Sequence, residues 1–183
     1  MYYTWVDYGT EYEDEIETWT LDEDTKRFSS DDGIKDDHEY YISSGDYVYN
    51  KTYFCKVALD GGIPIAVMIL LGGEGHPLNI NPIIVNPAHR NQGHGTRIIS
   101  EFIINKREII GKDVGMIEAG IFTANKASIR AFERAGFVLG GRHKSGNFGY
   151  WVYPPSKIKE FQHYSIYESR IDGGISEDFI PVG

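Results

Sequence analysis

Two apolar runs, "TYFCKVAL" (Thr52–Leu59) and "IPIAVMILLGG" (Ile63–Gly73), are separated by Asp60-Gly61-Gly62. The runs are strand-like, and the triplet between them is hairpin chemistry, so a long antiparallel hairpin is the expected centre of the fold. With 183 residues, the chain can bury one sizeable core around it and hardly two. No run approaches the length needed to cross a bilayer. The opening Met-Tyr-Tyr-Thr-Trp lacks the basic and apolar regions of a signal peptide, so no membrane partner and a cytoplasmic location are expected. A single cysteine, Cys55, excludes an intrachain disulfide and any Cys-x-x-Cys metal site, and within "YFCKVAL" it reads as core.

The other segments alternate in period. "YYTWVDY" (Tyr2–Tyr8) reads as a first strand, "EDEIETWTLDEDTKRFSS" as one polar-surfaced helix ending near Ser29–Gly33, and "IKDDHEYYISS" as a short helix. "PLNINPIIVNP" is a fourth strand in which Pro82 demands a bulge or an edge. "GTRIISEFIINKREII" has helical apolar spacing and a stop at Gly111; "VGMIEAGIF" is a fifth strand. "TANKASIRAFERAGF" is a helix closed by Gly136, and "FVLGGRHKSGNFGYWVYP" is a strand pair. The tail after Pro154-Pro155 shows little periodicity. The chain is therefore expected to be one α+β domain over 1–183 with a mixed sheet.

Charge is unevenly placed. Residues 1–46 carry a net −12 in a chain of net −9. This segment is either a solvated surface or an acidic wall that draws in a cationic ligand. Nucleic acid is excluded as a partner, since phosphates reward a basic face. Against this background, "NPAHRNQGHGTR" (Asn86–Arg97) has two glycines and no acidic residue. It lies between a strand and a helix. There, unpaired amides and a partial positive charge suit an anion, and Gly93 and Gly95 let the backbone approach it closely. Arg90, His89 and Arg97 add charge. The Walker pattern is absent, and the dinucleotide pattern fails because Ile98 replaces its third glycine.

What fits is Arg-x-x-Gly-x-Gly, here Arg90-Asn91-Gln92-Gly93-His94-Gly95. With "IIVNP" before it and an amphipathic helix after it, the stretch resembles the acetyl-CoA site of the GNAT superfamily of N-acetyltransferases. "NKASIRAFERAGF" (Asn125–Phe137) resembles the family's next motif. It looks most like the branch of ribosomal-protein N-terminal acetyltransferases and aminoglycoside 6′-N-acetyltransferases. The resemblance covers residues 76–153 as an acetyl-CoA-binding core. It leaves residues 1–50, the acceptor side, and the tail 155–183 unmatched.

The resemblance implies a GNAT fold, a mixed and mostly antiparallel sheet flanked by helices. It implies acetyl-CoA as cosubstrate, with the pyrophosphate on Arg90, Asn91, Gln92, Gly93, His94, Gly95 and Thr96. Asn125 caps its helix and touches the pantetheine arm, and Ser128 and Arg134 reach cofactor oxygens. The amine attacks the thioester directly in a ternary complex. The N–H of Val85, with Ile84 as its neighbour, meets the developing oxyanion. Glu74, His76 and Glu118 are the candidate bases. Phe132 stands where many relatives place a proton-donating Tyr. Tyr150 or Tyr153 could substitute, or the thiolate could leave unprotonated or take its proton from solvent.

No H-E-x-x-H or close His/Asp spacing calls for a metal, and Ser43, Ser44 and Ser100 lack a nucleophile-elbow setting. Tyr12, Trp19, Phe28, Tyr40 and Tyr41 are interleaved with the acidic residues, which suits an ammonium. The expected acceptor is cationic, aminoglycoside-like or polyamine-like ahead of a basic peptide terminus. The alternative is a non-catalytic acyl-CoA sensor or structural subunit. A homodimer, with the tail packed across it, is also compatible with the sequence.

Overall fold

The computed structural model describes residues 1–29, 33–43, 51–73, 76–171 and 178–183. Strand β1 (Thr4–Asp7) leads into helices α1 (Thr10–Thr20), α2 (Glu23–Phe28) and α3 (Ile34–Ser43). Strands β2 (Lys51–Asp60), β3 (Ile63–Gly73) and β4 (Leu78–Val85) follow, then α4 (His94–Ile110), β5 (Ile117–Phe122) and α5 (Lys126–Arg134). The chain continues through β6 (Val138–His143), β7 (Phe148–Tyr153), α6 (Ile158–Ile171) and β8 (Phe179–Pro181). The strands form one mixed sheet in the order β1-β2-β3-β4-β5-β7-β6-β8. Among the described residues, only β4 and β5 pair in parallel.

The central hairpin forms as its sequence dictates. Gly61 and Gly62 both have positive φ, 58° and 87°, and Asp60 pairs with Ile63, the geometry of a two-residue turn matched to strand twist. One face of the sheet packs Ile98, Ile99 and Phe102 of α4 and Phe132 of α5 over Met68, Leu70, Ile80 and Ile117. The opposite face carries two clusters. Ile16 and Trp19 of α1 and Ile34 of α3 cover Val57, Val67, Ile69 and Ile84, and Phe161 of α6 covers Val152 and Phe179.

Pro82 produces the bulge that a proline inside a strand calls for. The β3–β4 register runs Leu70↔Ile80 and then Met68↔Ile83, one residue extra on β4. The extra residue inverts the alternation. Ile80 packs toward α4, whereas Ile84, of the same parity, packs toward α1.

Two expectations need correction. The long acidic helix is two helices, because Asp22 turns its carboxylate onto the Thr25 N–H and starts α2 afresh. The tail is α6 plus β8, and β8 pairs with β6 of the same chain. Its weak periodicity reflects burial through scattered aromatic contacts, such as Tyr150 against Phe161 and Phe179, which leave no regular stripe. Cys55 is buried, and burial pushes its thiol up to about 12. Among the described residues, no helix is long and apolar enough to cross a membrane.

Candidate active site

Strands β4 and β5 pair only at Leu78↔Ile117 and Asn79↔Glu118 and then diverge, leaving a slot beside the second half of β4. The ladder alternation shows which groups face it. The Asn86 N–H donates to the Ile65 carbonyl (2.8 Å), so the Ala66–Val85 pair is of the non-hydrogen-bonded kind. The Val85 N–H and C=O therefore point away from β3, into the slot. Ile83 follows suit, while Ile84, between them, turns its N–H toward β3. Ile84 thus reaches the slot only as a neighbour, and Ile83 takes the backbone role beside Val85.

The glycine loop closes the end of the slot. Asn91 (φ 62°) and Gly93 (φ 82°) both take the left-handed conformation, and α4 begins at His94, so the first amides of the helix are presented together. Added carbon at Gly93 would meet nothing within 4 Å, whereas at Gly95 it would sit 3.7 Å from Ala131 and 3.9 Å from Val85. A groove of about 650 Å³ runs from this loop between α2 and α5. Asn125, Ser128 and Arg134 line it, as do Thr96 and Asn91. The Asn125 side-chain oxygen accepts the Ser128 N–H (3.1 Å) and so is the helix cap.

Three side chains of the loop have partners away from its amides. His94 is buried and hydrogen bonded through Nδ1 to the Tyr3 hydroxyl (2.6 Å), facing β1. Burial first, then the charges of Arg97 and His89, lower its pKa. Gln92 reaches back 3.5 Å to the Ala88 carbonyl. Arg90 turns toward α2. Its Nη1 contacts Asp22 at 2.5 Å, Nη2 the Thr25 hydroxyl at 2.5 Å, and Nε the Val85 carbonyl at 3.3 Å. The positive charge of the groove comes instead from Arg27 on α2 and from Lys126, Arg130 and Arg134 on α5. The last three recur every four residues, so they form one exposed stripe on the helix. Sequence reasoning missed Lys126 and Arg130, although that i, i+4, i+8 spacing was there to be read.

On the face of the sheet opposite α4, the fork carries Glu118. Its Oε1 accepts from Asn79 Nδ2 (3.0 Å) at the last β4–β5 pair. Burial raises its pKa, and the Asn79 bond opposes the rise. Tyr150 lies on β7 opposite Gly120, and burial, then Glu118 and Asp178, raise its phenol. A row of rings runs from Phe28 to Phe122 (6.5 Å), Phe148 (5.3 Å) and Tyr150 (5.3 Å). His76 is held by the Tyr164 hydroxyl, 2.9 Å away. Tyr153 packs its ring on Phe137. Phe132 is buried in the core. Glu74 lies outside the described residues.

The acidic segment is partly structural. Glu13 pairs with Lys35 (2.7 Å), and Glu17 accepts the Lys35 N–H (2.8 Å), which caps α3. Asp14 and Glu15 are exposed. Among the described residues, no group of three or more His, Cys, Asp or Glu side chains could hold a metal ion.

A sequence model of the acetyltransferase (GNAT) family matches residues 10–137. No curated protein sequence matches the chain significantly. Solved structures with the same fold include aminoglycoside N(6′)-acetyltransferase from Legionella pneumophila, with TM-score 0.65 and 16% identity over 88% of this chain and 96% of that one. Another is the aminoglycoside acetyltransferase AAC(6′)-Ib in complex with coenzyme A and kanamycin, with TM-score 0.62 and 18% identity over 86% and 98%. A third is a spermidine N-acetyltransferase chimera from Vibrio cholerae and hSSAT, with TM-score 0.63 and 16% identity over 87% and 99%.

Proposed function

The chain belongs to the GNAT acetyltransferase family, and we propose that it moves the acetyl group of acetyl-CoA to a primary amine of a cationic acceptor. The observation that carries this reading is the fork, with the Val85 N–H facing a slot that ends at the amides of Asn91–Thr96. Pantetheine amides would pair along Ile83 and Val85 where β5 is missing. The pyrophosphate would rest on the loop amides, and the α5 stripe would face the remaining phosphate.

The thioester carbonyl then lies against the Val85 N–H, which stabilises the negative charge that forms as the amine attacks. Glu118 is the proposed base. Its raised pKa brings a carboxyl closer to neutrality, and it faces the side from which an amine can enter without crossing α4 and α5. Tyr150, beside Glu118, is the proposed proton source for the leaving thiolate. The ring row and the exposed carboxylates of α1 suit an ammonium-rich acceptor. Aminoglycosides and spermidine, the substrates named for the similar structures, share that chemistry. The test is release of free CoA thiol from acetyl-CoA with a panel of aminoglycosides, polyamines, amino acids and N-terminal peptides. Binding of CoA with no release for any amine would leave a non-catalytic acyl-CoA binder instead.

A further inference from the structure

Arg90 opens the glycine loop, yet its side chain leaves the loop. Its three nitrogens have separate partners. Nε bonds the Val85 carbonyl at the end of β4, Nη1 bonds Asp22, and Nη2 bonds the Thr25 hydroxyl. Asp22 is itself the N-cap of α2, where it accepts the Thr25 N–H and hydroxyl. The guanidinium charge is balanced by that carboxylate, which Arg90 holds below its usual range. A phosphate seeking Arg90 would have to displace a paired carboxylate. We propose that Arg90 is a positioning residue that couples occupancy of the Asn91–Thr96 loop to helix α2, and is not a phosphate ligand.

The coupling follows from connectivity. Asn91 and Gly93 hold left-handed conformations, so an anion on the loop amides fixes a specific backbone path next to Arg90. Fixing Arg90 fixes the start of α2. Helix α2 carries Arg27 into the groove and ends at Phe28, whose ring meets Phe122. A filled loop therefore completes one wall of the acceptor side. The inference rests on the reading that the loop holds acetyl-CoA, and the experiment separates the two.

The experiment is amide hydrogen exchange, with and without CoA, on the parent protein and on Arg90→Lys, Asp22→Asn and Thr25→Val. Thermal melting verifies that each variant is folded. Asp22→Asn retains a capping side chain while losing the charge, and Thr25→Val removes the Nη2 contact together with the hydroxyl's bond to Asp22 while keeping the Arg90–Asp22 pair. In the parent, CoA is expected to slow exchange by about tenfold at residues 91–97 and also at residues 25–28. In Asp22→Asn and Arg90→Lys the loop should stay protected while protection of α2 is lost. Thr25→Val should give a partial loss. Protection of the loop without α2 in the parent would overturn the coupling, as would unchanged α2 protection in the charge variants. A fall in CoA affinity for Arg90→Lys with none for Asp22→Asn would make Arg90 a direct ligand and also overturn it. No protection at residues 91–97 in the parent would instead remove the acetyl-CoA reading and the inference with it.

Discussion

Glu101 sits two turns from the loop end of α4, and replacing it by Ala should damage both stability and cosubstrate binding. Its buried carboxylate accepts the Tyr2 N–H (2.6 Å), the Tyr3 N–H (3.1 Å) and the Trp5 indole N–H (2.9 Å). Tyr2 is exposed, so water can replace its partner at little cost. The Tyr3 amide is buried and the Trp5 indole is half-buried, so these donors would be left short of acceptors. Hydrogen bonds to a charged acceptor contribute about 1.5–3 kcal/mol each. One full loss and one partial loss give about 3–4 kcal/mol. For a chain of this length that lowers the melting temperature by roughly 10 °C. The effect should extend further, because Tyr3 holds His94 beside Gly93. CoA affinity measured by calorimetry below the transition should fall several-fold. Differential scanning calorimetry of Glu101→Ala and Glu101→Gln, with Gln intermediate, checks the first part. A drop below about 3 °C for Ala would refute the reasoning that the Tyr3 amide has no other acceptor.

Other expectations are more local. Gly93→Val and Gly95→Val should each abolish CoA binding while circular dichroism stays parental, the first through a β-branched residue at φ 82° and the second by adding branched methyls where a Cβ alone already reaches van der Waals contact with Ala131 and Val85; unchanged affinity in both would place the anion elsewhere. Glu118→Gln should lower turnover by about a hundredfold and remove the acidic limb of the rate profile. Since the folded protein raises this pKa, the stability Glu118 contributes is complete below its unfolded value and lost as pH rises through the folded one. The Gln variant should therefore melt higher than the parent at about pH 8 and not at about pH 4, and equal melting at both would argue against a buried carboxylate there. Changing Lys126, Arg130 and Arg134 together to Gln should weaken CoA binding by about tenfold and flatten its salt dependence, with dephospho-CoA affected less. Asp14→Asn with Glu15→Gln should raise the KM of a cationic acceptor several-fold and spare that of acetyl-CoA. An untouched acceptor KM would reduce the acidic face to solvated surface.

Local chemistry made the centre of the molecule legible. The Asp60–Gly62 turn, the Pro82 bulge, the Asn125 cap and the glycines at 93, 111 and 136 each act within a few residues of their own position, so they read from a short stretch. What escaped reading depends on distant partners. Asp22 looks like one more acidic helix residue until Arg90, sixty-eight positions on, is seen against it. His94 looks like loop charge until Tyr3 is found on its ring. The tail hid its helix because Phe161 and Phe179 are buried by Tyr150 and by each other rather than by a repeating stripe.

The fork also sets how the whole sheet holds together. Its four N-terminal and four C-terminal strands share only two residue pairs, so the hydrogen-bonded fabric is nearly cut in half at its middle. What spans the cut is helix α4, packed on both halves through Phe102 and its neighbours. A ligand that lays its own amides along Ile83 and Val85 would act as a missing strand and sew the halves together. Such a guest is part of the architecture while it is bound. Each turnover would then leave the molecule briefly unstitched, with the packing of α4 against both halves as the join that persists.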